Sequence, residues 1–299
     1  MNMASWQAKG MSILLRNVLK PQLMRAKEIA AVRKAMTGPT WDPFGGARAT
    51  AGEVGGVHGE WLVADAVPST GTLLYLHGGG YIACDAQMYR PVTCGFAVTG
   101  LRTFAPDYRL APEHPFPAAL DDALSAYRAL LDMCDAKQLV IAGDSAGGGL
   151  CASLLLTLRE RGLPMPAAAA MFSPMLDLAA SCESVVRNAE VCAMFTGEMF
   201  AHAANFYIGD RDRRDPLYSP VYADLHGLPP LLIHVGADET LLDDSRRFAA
   251  RARVAGVPVE LKIWPVVPHV WQLFSHWIPE GRQSIREAAA FLARHTGAV

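Results

Sequence analysis

Ser145 sits in the stretch Leu139–Gly148, LVIAGDSAGG, where an apolar run ends in a glycine, an acid, the serine, an alanine and two more glycines. Gly143-Asp144-Ser145-Ala146-Gly147 fits G-x-S-x-G. With a strand before it and a helix after it, that pattern places a serine hydroxyl on a tight turn, clear of its neighbours and over a helix N-terminus. The chemistry this suits is attack on a carbonyl carbon. No lysine follows the glycines as a phosphate-binding loop requires, and G-x-G-x-x-G is absent.

A serine hydroxyl needs a base, and the base needs an orienting acid. In a parallel α/β sheet these follow the serine in the order acid, then histidine. His269 follows the candidate strand Val259–Trp264 after the short loop Pro265–Pro268, at a strand's carboxyl end where ligands bind. His234 lies within an apolar strand and reads as a packing residue; His276 and His295 fall on or near the last helix. Leu231–Val235 runs into Gly236-Ala237-Asp238-Glu239, and Asp238, directly at the strand end, is the expected acid, with Glu239 pointing elsewhere. Asp243 and Asp244 read as first-turn helix charges. His77-Gly78-Gly79-Gly80-Tyr81 follows another apolar strand about 65 residues before the serine, where glycines let backbone N–H groups approach a ligand.

The elements needed to hold these residues are legible. Short apolar runs (Trp61–Val67, Thr72–His77, Arg102–Ala105, Gln138–Ala142, Ala168–Phe172, Leu231–Val235, Val259–Trp264) alternate with helix-like stretches (Met88–Val98, Ala118–Met133, Ala146–Arg161, Leu241–Ala255, Arg282–Arg294). That alternation predicts an α/β fold: a mostly parallel sheet of about eight strands with helices on both faces. Residues 1 to about 36 read as helical and Thr37–Gly59 as loop. A long interval between Phe172 and Leu231 holds the helix candidate Met194–Tyr207. It is expected to lie over the carboxyl ends of the strands and pack with the N-terminal helix as a cap. The expected division is a cap segment 1–45, a catalytic core 46–178 and 216–299, and an inserted cap segment 179–215.

Composition bounds the rest. The chain has 299 residues, 51% of them hydrophobic, and a formal charge of −2, with no basic surplus for nucleic acid. Six cysteines without a C-x-x-C pair read as unpaired thiols in a reducing compartment. Met11–Leu19 is apolar but broken by Arg16, which suits an amphipathic helix rather than a signal peptide. No apolar run approaches the ~18 residues that span a bilayer. The expectation is a soluble cytoplasmic protein.

YLHGGGY (Tyr75–Tyr81), DYRLAPEHPFPAAL (Asp107–Leu120), GDSAGG (Gly143–Gly148), DPLYSP (Asp215–Pro220), GADETLLDDS (Gly236–Ser245) and PHVW (Pro268–Trp271) together resemble the hormone-sensitive-lipase-like esterases, bacterial family IV, of the α/β-hydrolase superfamily. The first 50 residues carry none of these motifs. The resemblance implies a serine carboxylesterase for short- to medium-chain esters, acting through an acyl-enzyme. Its nucleophile would be Ser145, its base His269 and its acid Asp238, with oxyanion donors from the amides of Gly78, Gly79 and Ala146. It implies no cofactor and no metal, a small-molecule ester as partner, and a homodimer through the edge strand 259–264. Asp144 would tether the loop, His77 would hold its shape, and Asp107, Arg109 and Glu113 would form a charge cluster beneath the site. Val267 stands where many relatives carry methionine. Two other readings share the fold: an amidase or lactonase with the same triad, and a ligand receptor. A receptor usually loses the base, whereas here serine, histidine and acid are all present.

Overall fold

The computed structural model describes residues 4–38 and 40–297. Eight strands form one sheet: β1 (Ala47–Val54), β2 (Val57–Ala64), β3 (Gly71–Leu76), β4 (Leu101–Pro106), β5 (Leu139–Asp144), β6 (Ala169–Phe172), β7 (Leu231–Gly236) and β8 (Val259–Trp264). Their order across the sheet is β1-β2-β4-β3-β5-β6-β7-β8. β1 and β2 pair antiparallel, as do β2 and β4, and every later pairing is parallel. The α/β expectation is met in the sheet.

Three helices precede it: α1 (Trp6–Asn17), α2 (Leu19–Arg25) and α3 (Ile29–Met36). The others are α4 (Arg90–Ala97), α5 (Ala118–Leu131), α6 (Ser145–Glu160), α7 (Glu183–Arg187), α8 (Gly197–Ile208), α9 (Leu242–Val254) and α10 (Pro279–His295). Alternate residues of one strand go to opposite layers. Leu74, Leu76 and Ile141 pack with Leu124, Leu150, Leu154 and Phe248 of α5, α6 and α9. Leu73, Tyr75 and Val140 pack with Val92, Phe96, Ile285 and Leu292 of α4 and α10. Burial on both faces is why these strands read as continuous apolar runs.

One element differs from the sequence reading. Residues 47–54, placed in a loop, form β1, hairpinned to β2 through Gly55-Gly56 with φ of +61° and +78°. Two successive left-handed residues are what a two-residue hairpin turn demands. β1 is an edge strand of small and polar residues, ARATAGEV, with only Val54 buried, so it carries little of the apolar alternation by which strands are recognised.

α8 and the segment before it make contacts with the N-terminal helices. Lys20 Nζ donates to the carbonyls of Ala189 (2.6 Å) and Cys192 (2.9 Å). His202 Nε2 lies 2.8 Å from the Lys27 carbonyl. Ser5, at the start of α1, is bonded through its amide and hydroxyl to Glu280 of α10 (2.6 and 2.9 Å).

Candidate active site

The carboxyl ends of β3, β5, β7 and β8 bring the chemical residues together. β5 delivers Ser145 at the first position of α6 with φ of +51°, a left-handed conformation that a non-glycine residue holds only where its surroundings force it. The glycines explain how the turn closes. A Cβ on Gly147 would stand 2.0 Å from the Leu76 carbonyl oxygen, and one on Gly143 would stand 2.6 Å from the same atom. β3 packs directly under the elbow, and side chains at either position would push it away.

His269 lies on the loop after β8, buried, with Phe195 edge-on at 5.1 Å between ring centroids. Its Nδ1 is 2.5 Å from Oε2 of Glu239. The other oxygen of that carboxylate, Oε1, accepts hydrogen bonds from the Ser173 hydroxyl and the Gly236 amide, each at 2.6 Å. Glu239 therefore spends one oxygen on being held and the other on the imidazole. His269 Nε2 is buried and has no hydrogen-bond partner among the described residues, and His269 and Ser145 line the same cavity. With Nδ1–H donated to the carboxylate, Nε2 carries the free lone pair on the cavity side.

The acid expectation is thus corrected: the residue on His269 is Glu239, and Asp238 is half-buried without a bond to the histidine among the described residues. The reason is the turn after β7. Ala237 N–H bonds the Trp264 carbonyl at 2.8 Å, and Glu239 N–H lies 3.3 Å from the Gly236 carbonyl. The chain doubles back, so the third residue past Gly236 returns over the strand end. A Cβ on Gly236 would meet Glu239 Oε1 at 2.9 Å, so the glycine leaves the space that the carboxylate occupies. Gly236 three places before an acid was the available signal.

The oxyanion expectation is corrected in one member. The Gly78 amide donates to Asp144 Oδ1 at 3.1 Å and is not free to bind a ligand. Gly79 and Gly80 line the cavity with Ser145, and Ala146 has a first-turn helix amide with no intrahelical acceptor. Among the described residues, the amides of Gly79, Gly80 and Ala146 have no hydrogen-bond acceptor. Gly78 has a different necessity: a Cβ there would stand 2.2 Å from Asp144 Oδ2.

A model of a family described by the alpha/beta hydrolase fold matches residues 73–273. The chain is 43% identical over 249 residues to an acetyl-hydrolase of Streptomyces hygroscopicus, covering 82% of each protein. It is 36% identical to an esterase of Acinetobacter venetianus, covering 79% of this chain and 78% of that one. It superposes on the crystal structure of an esterase from the bacterial hormone-sensitive lipase family with a TM-score of 0.90 and 38% identity, over 99% of this chain and all of that one. The chain belongs to the hormone-sensitive-lipase family of α/β-hydrolase esterases. It is a carboxylic ester hydrolase.

In this esterase Asp144 lies directly beside Ser145 at the end of β5. Its carboxylate is fully buried and accepts from Tyr75 and Tyr89 hydroxyls, both at 2.8 Å, besides Gly78. Burial pushes its pKa up to about 6, against the pull of those donors and of the nearby His269. His77 is buried, stacks on Tyr108 at 4.3 Å and places Nδ1 2.6 Å from the Gly78 carbonyl, so it braces the glycine loop. His234 is a core residue, 2.8 Å from the Ser284 hydroxyl, and burial lowers its pKa to about 3. The expected cluster of Asp107, Arg109 and Glu113 is instead three separate contacts. Asp107 accepts from the Ala86 amide (2.7 Å), Arg109 pairs with Asp122 (2.7 Å) and Glu113 with Arg33 of α3 (2.6 Å).

The esterase cavity has a volume of about 1110 Å³ and reaches from Ser145 outward between α1–α3 and α8. Its wall is dominated by apolar side chains, among them Leu15, Met88, Met175, Phe195, Phe200 and Leu273. Phe195 is thus a wall residue, whereas Tyr207 stacks on Tyr81 at 3.8 Å and Trp271 is buried against Trp264 and Val267.

Proposed function

We propose that Ser145, His269 and Glu239 act as nucleophile, base and orienting acid in a two-step transfer of the acyl group of short- to medium-chain esters. The observation that carries this is the 2.5 Å contact of His269 Nδ1 with Glu239, which leaves Nε2 as the proton acceptor at the serine. Ser145 Oγ attacks the ester carbonyl as Nε2 takes its proton. The carbonyl oxygen becomes an oxyanion facing the amides of Gly79, Gly80 and Ala146, where one preorganised donor is typically worth about 3 kcal/mol. His269 then protonates the departing alcohol, and water repeats the sequence on the acyl-serine. The apolar wall favours esters whose acyl and alcohol parts are both hydrocarbon-rich. One similar solved protein, EstE5, 38% identical with a TM-score of 0.92 over 99% of this chain and all of its own, was soaked with p-nitrophenyl butyrate.

The test is a chain-length series of p-nitrophenyl esters on variants. Ser145→Ala removes turnover. Glu239→Gln lowers kcat by about a hundredfold or more, as misplacing the imidazole tautomer does in serine proteases. Asp238→Asn stays near wild type. A damaging Asp238→Asn beside a harmless Glu239→Gln would overturn the assignment.

The segments 1–45 and 179–215 are read as a cap over the core of 46–178 and 216–299, on the strength of the Lys20 and His202 contacts. The six cysteines are all free, which suits a reducing cytoplasmic setting. No helix among the described residues is long and apolar enough to cross a membrane. β8 closes the sheet with an unpaired edge, and pairing of that edge with a second copy is the homodimer this reading includes. A monomer mass by light scattering would exclude it.

A further inference from the structure

α1 is amphipathic in the wrong sense for a helix facing water. Its buried side carries Ala8, Ser12 and Leu15, the Ser12 hydroxyl lacking a partner among the described residues. Its outward side carries Trp6 at 80% exposure, Ile13 at 58% and Leu14 at 54%, and Val18 and Met24 continue the apolar surface onto α2. Positions 6, 10, 13, 14 and 17 fall on one helical face, so these exposures make a single patch rather than scattered residues. A patch of this kind marks a surface that meets something other than water.

Charge indicates what that is. Residues 4–38 hold seven basic side chains and one acid, Glu28, in a chain whose formal charge is −2. Lys20 and Arg33 are engaged with the body of the protein, while Lys9, Arg25, Lys27 and Lys34 are exposed and in no salt bridge among the described residues. Glu198 of α8 stands across the cavity as an acid on that side. Exposed bases flanking exposed tryptophan and aliphatic side chains are the composition of a helix that lies in a lipid–water interface. A second copy of this chain would bring the same positive surface against this one. An anionic bilayer complements it, each base near such a surface adding severalfold in affinity.

The patch is also continuous with the ester site. Trp6, Leu14 and Met24 are exposed and at the same time line the cavity that holds Ser145, and half-exposed Trp277 stands on the same wall. We propose that the outer face of α1 and α2 docks this esterase on the surface of an anionic lipid bilayer, with the cavity mouth turned toward the membrane. Trp6, Ile13, Leu14 and Val18 enter the headgroup region, and Lys9 of α1, Arg25 of α2 and Lys27 just after it meet the lipid phosphates. The ester site then draws on apolar esters dissolved in the bilayer. Docking goes beyond the hydrolytic reading and is measured without it.

The test is co-sedimentation of the full chain with vesicles of pure phosphatidylcholine and of equimolar phosphatidylcholine and phosphatidylglycerol. Ile13→Ser with Val18→Ser, and Lys9→Gln with Arg25→Gln, serve as variants, each checked for an unchanged thermal midpoint. Wild type is expected to bind the anionic vesicles at least tenfold more tightly than the neutral ones. That preference collapses between ~0.1 M and ~1 M salt, as the screening length falls from about 10 to about 3 Å. The Lys9/Arg25 pair loses about fivefold per charge on anionic vesicles, and the Ile13/Val18 pair loses binding at either salt. No binding to anionic vesicles, or equal binding to both kinds, overturns the proposal. So does self-association that the Ile13/Val18 pair abolishes while vesicle binding is absent, which would give the patch to a second copy.

Discussion

At the scale of single residues the decisive arrangement is the two-handed use of Glu239. One carboxylate oxygen is fixed by Ser173 and Gly236, the other faces His269. Ser173 has φ of +45° and a fully buried side chain, so its hydroxyl is aimed by the backbone. Ser173→Ala is expected to leave KM near wild type and lower kcat by about tenfold, because a freed carboxylate samples geometries in which the imidazole no longer faces the serine. A KM effect without a kcat effect would assign Ser173 to packing alone. A second residue-scale consequence concerns Asp244, whose Oδ2 accepts the amides of Leu176 (2.9 Å) and Asp177 (3.0 Å) below the site. Burial, aided by the negative charge of Asp177, raises its pKa from 3.8 to about 7. The folded state therefore binds this proton more tightly than the unfolded chain does. The group's contribution is fully present below pH about 4 and is lost as pH rises toward about 7. The stability advantage of wild type over Asp244→Asn should accordingly shrink across that window, by up to about 1.4 kcal/mol per pH unit. Urea unfolding at a series of pH values measures it, and a constant difference would contradict it.

At the scale of elements, the elbow works because β3 and α6 approach too closely for any side chain between them. Gly147→Ala places a methyl carbon 2.0 Å from a main-chain oxygen and should yield no folded protein. Gly10→Ala in α1, where no other described residue stands within 4 Å of the new carbon, should fold and gain helix stability of about 1 kcal/mol. Paired expression and thermal melts of the two variants separate a steric requirement from a generic glycine effect. α3 is clamped by Arg33, whose Nε donates to the Ile82 carbonyl (2.7 Å) and whose Nη2 donates to the Ala111 carbonyl (3.0 Å). Arg33→Ala should cost about 1–2 kcal/mol through those main-chain bonds. The pairing with exposed Glu113 adds little, so Glu113→Gln should be close to neutral in the same melts.

At the scale of the whole molecule, one sheet brings five distant segments to a single edge. The glycine loop after β3, Ser145 after β5, Ser173 after β6, Glu239 after β7 and His269 after β8 all stand at carboxyl ends of parallel neighbours. In the proposed reading, α1–α3 and the insert before β7 form a roof over them, and an apolar cavity lies between that roof and Ser145. Loss of that roof predicts loss of substrate selectivity before loss of chemistry. A chain lacking residues 1–25 should discriminate butyrate from longer p-nitrophenyl esters less than the full chain does, provided its circular dichroism shows the sheet intact.

The sequence by itself determined the parallel sheet, the serine elbow, the glycine loop and His269. Each depends on local rules: apolar runs of strand length, glycine where backbones crowd, and a histidine just past a strand end. It read His234 as core, and its burial agrees. It did not reveal β1, because an edge strand of alanine, glycine and threonine buries too little to leave an apolar pattern. Nor did it separate Glu239 from Asp238, or show that Asp144 occupies the Gly78 amide. Those choices rest on how a turn doubles back over a neighbouring strand and on which of several amides a distant carboxylate reaches. Only the tertiary structure decided them, because hydrogen bonds fall off within a few tenths of an ångström while sequence patterns fix a residue's place only to the nearest turn.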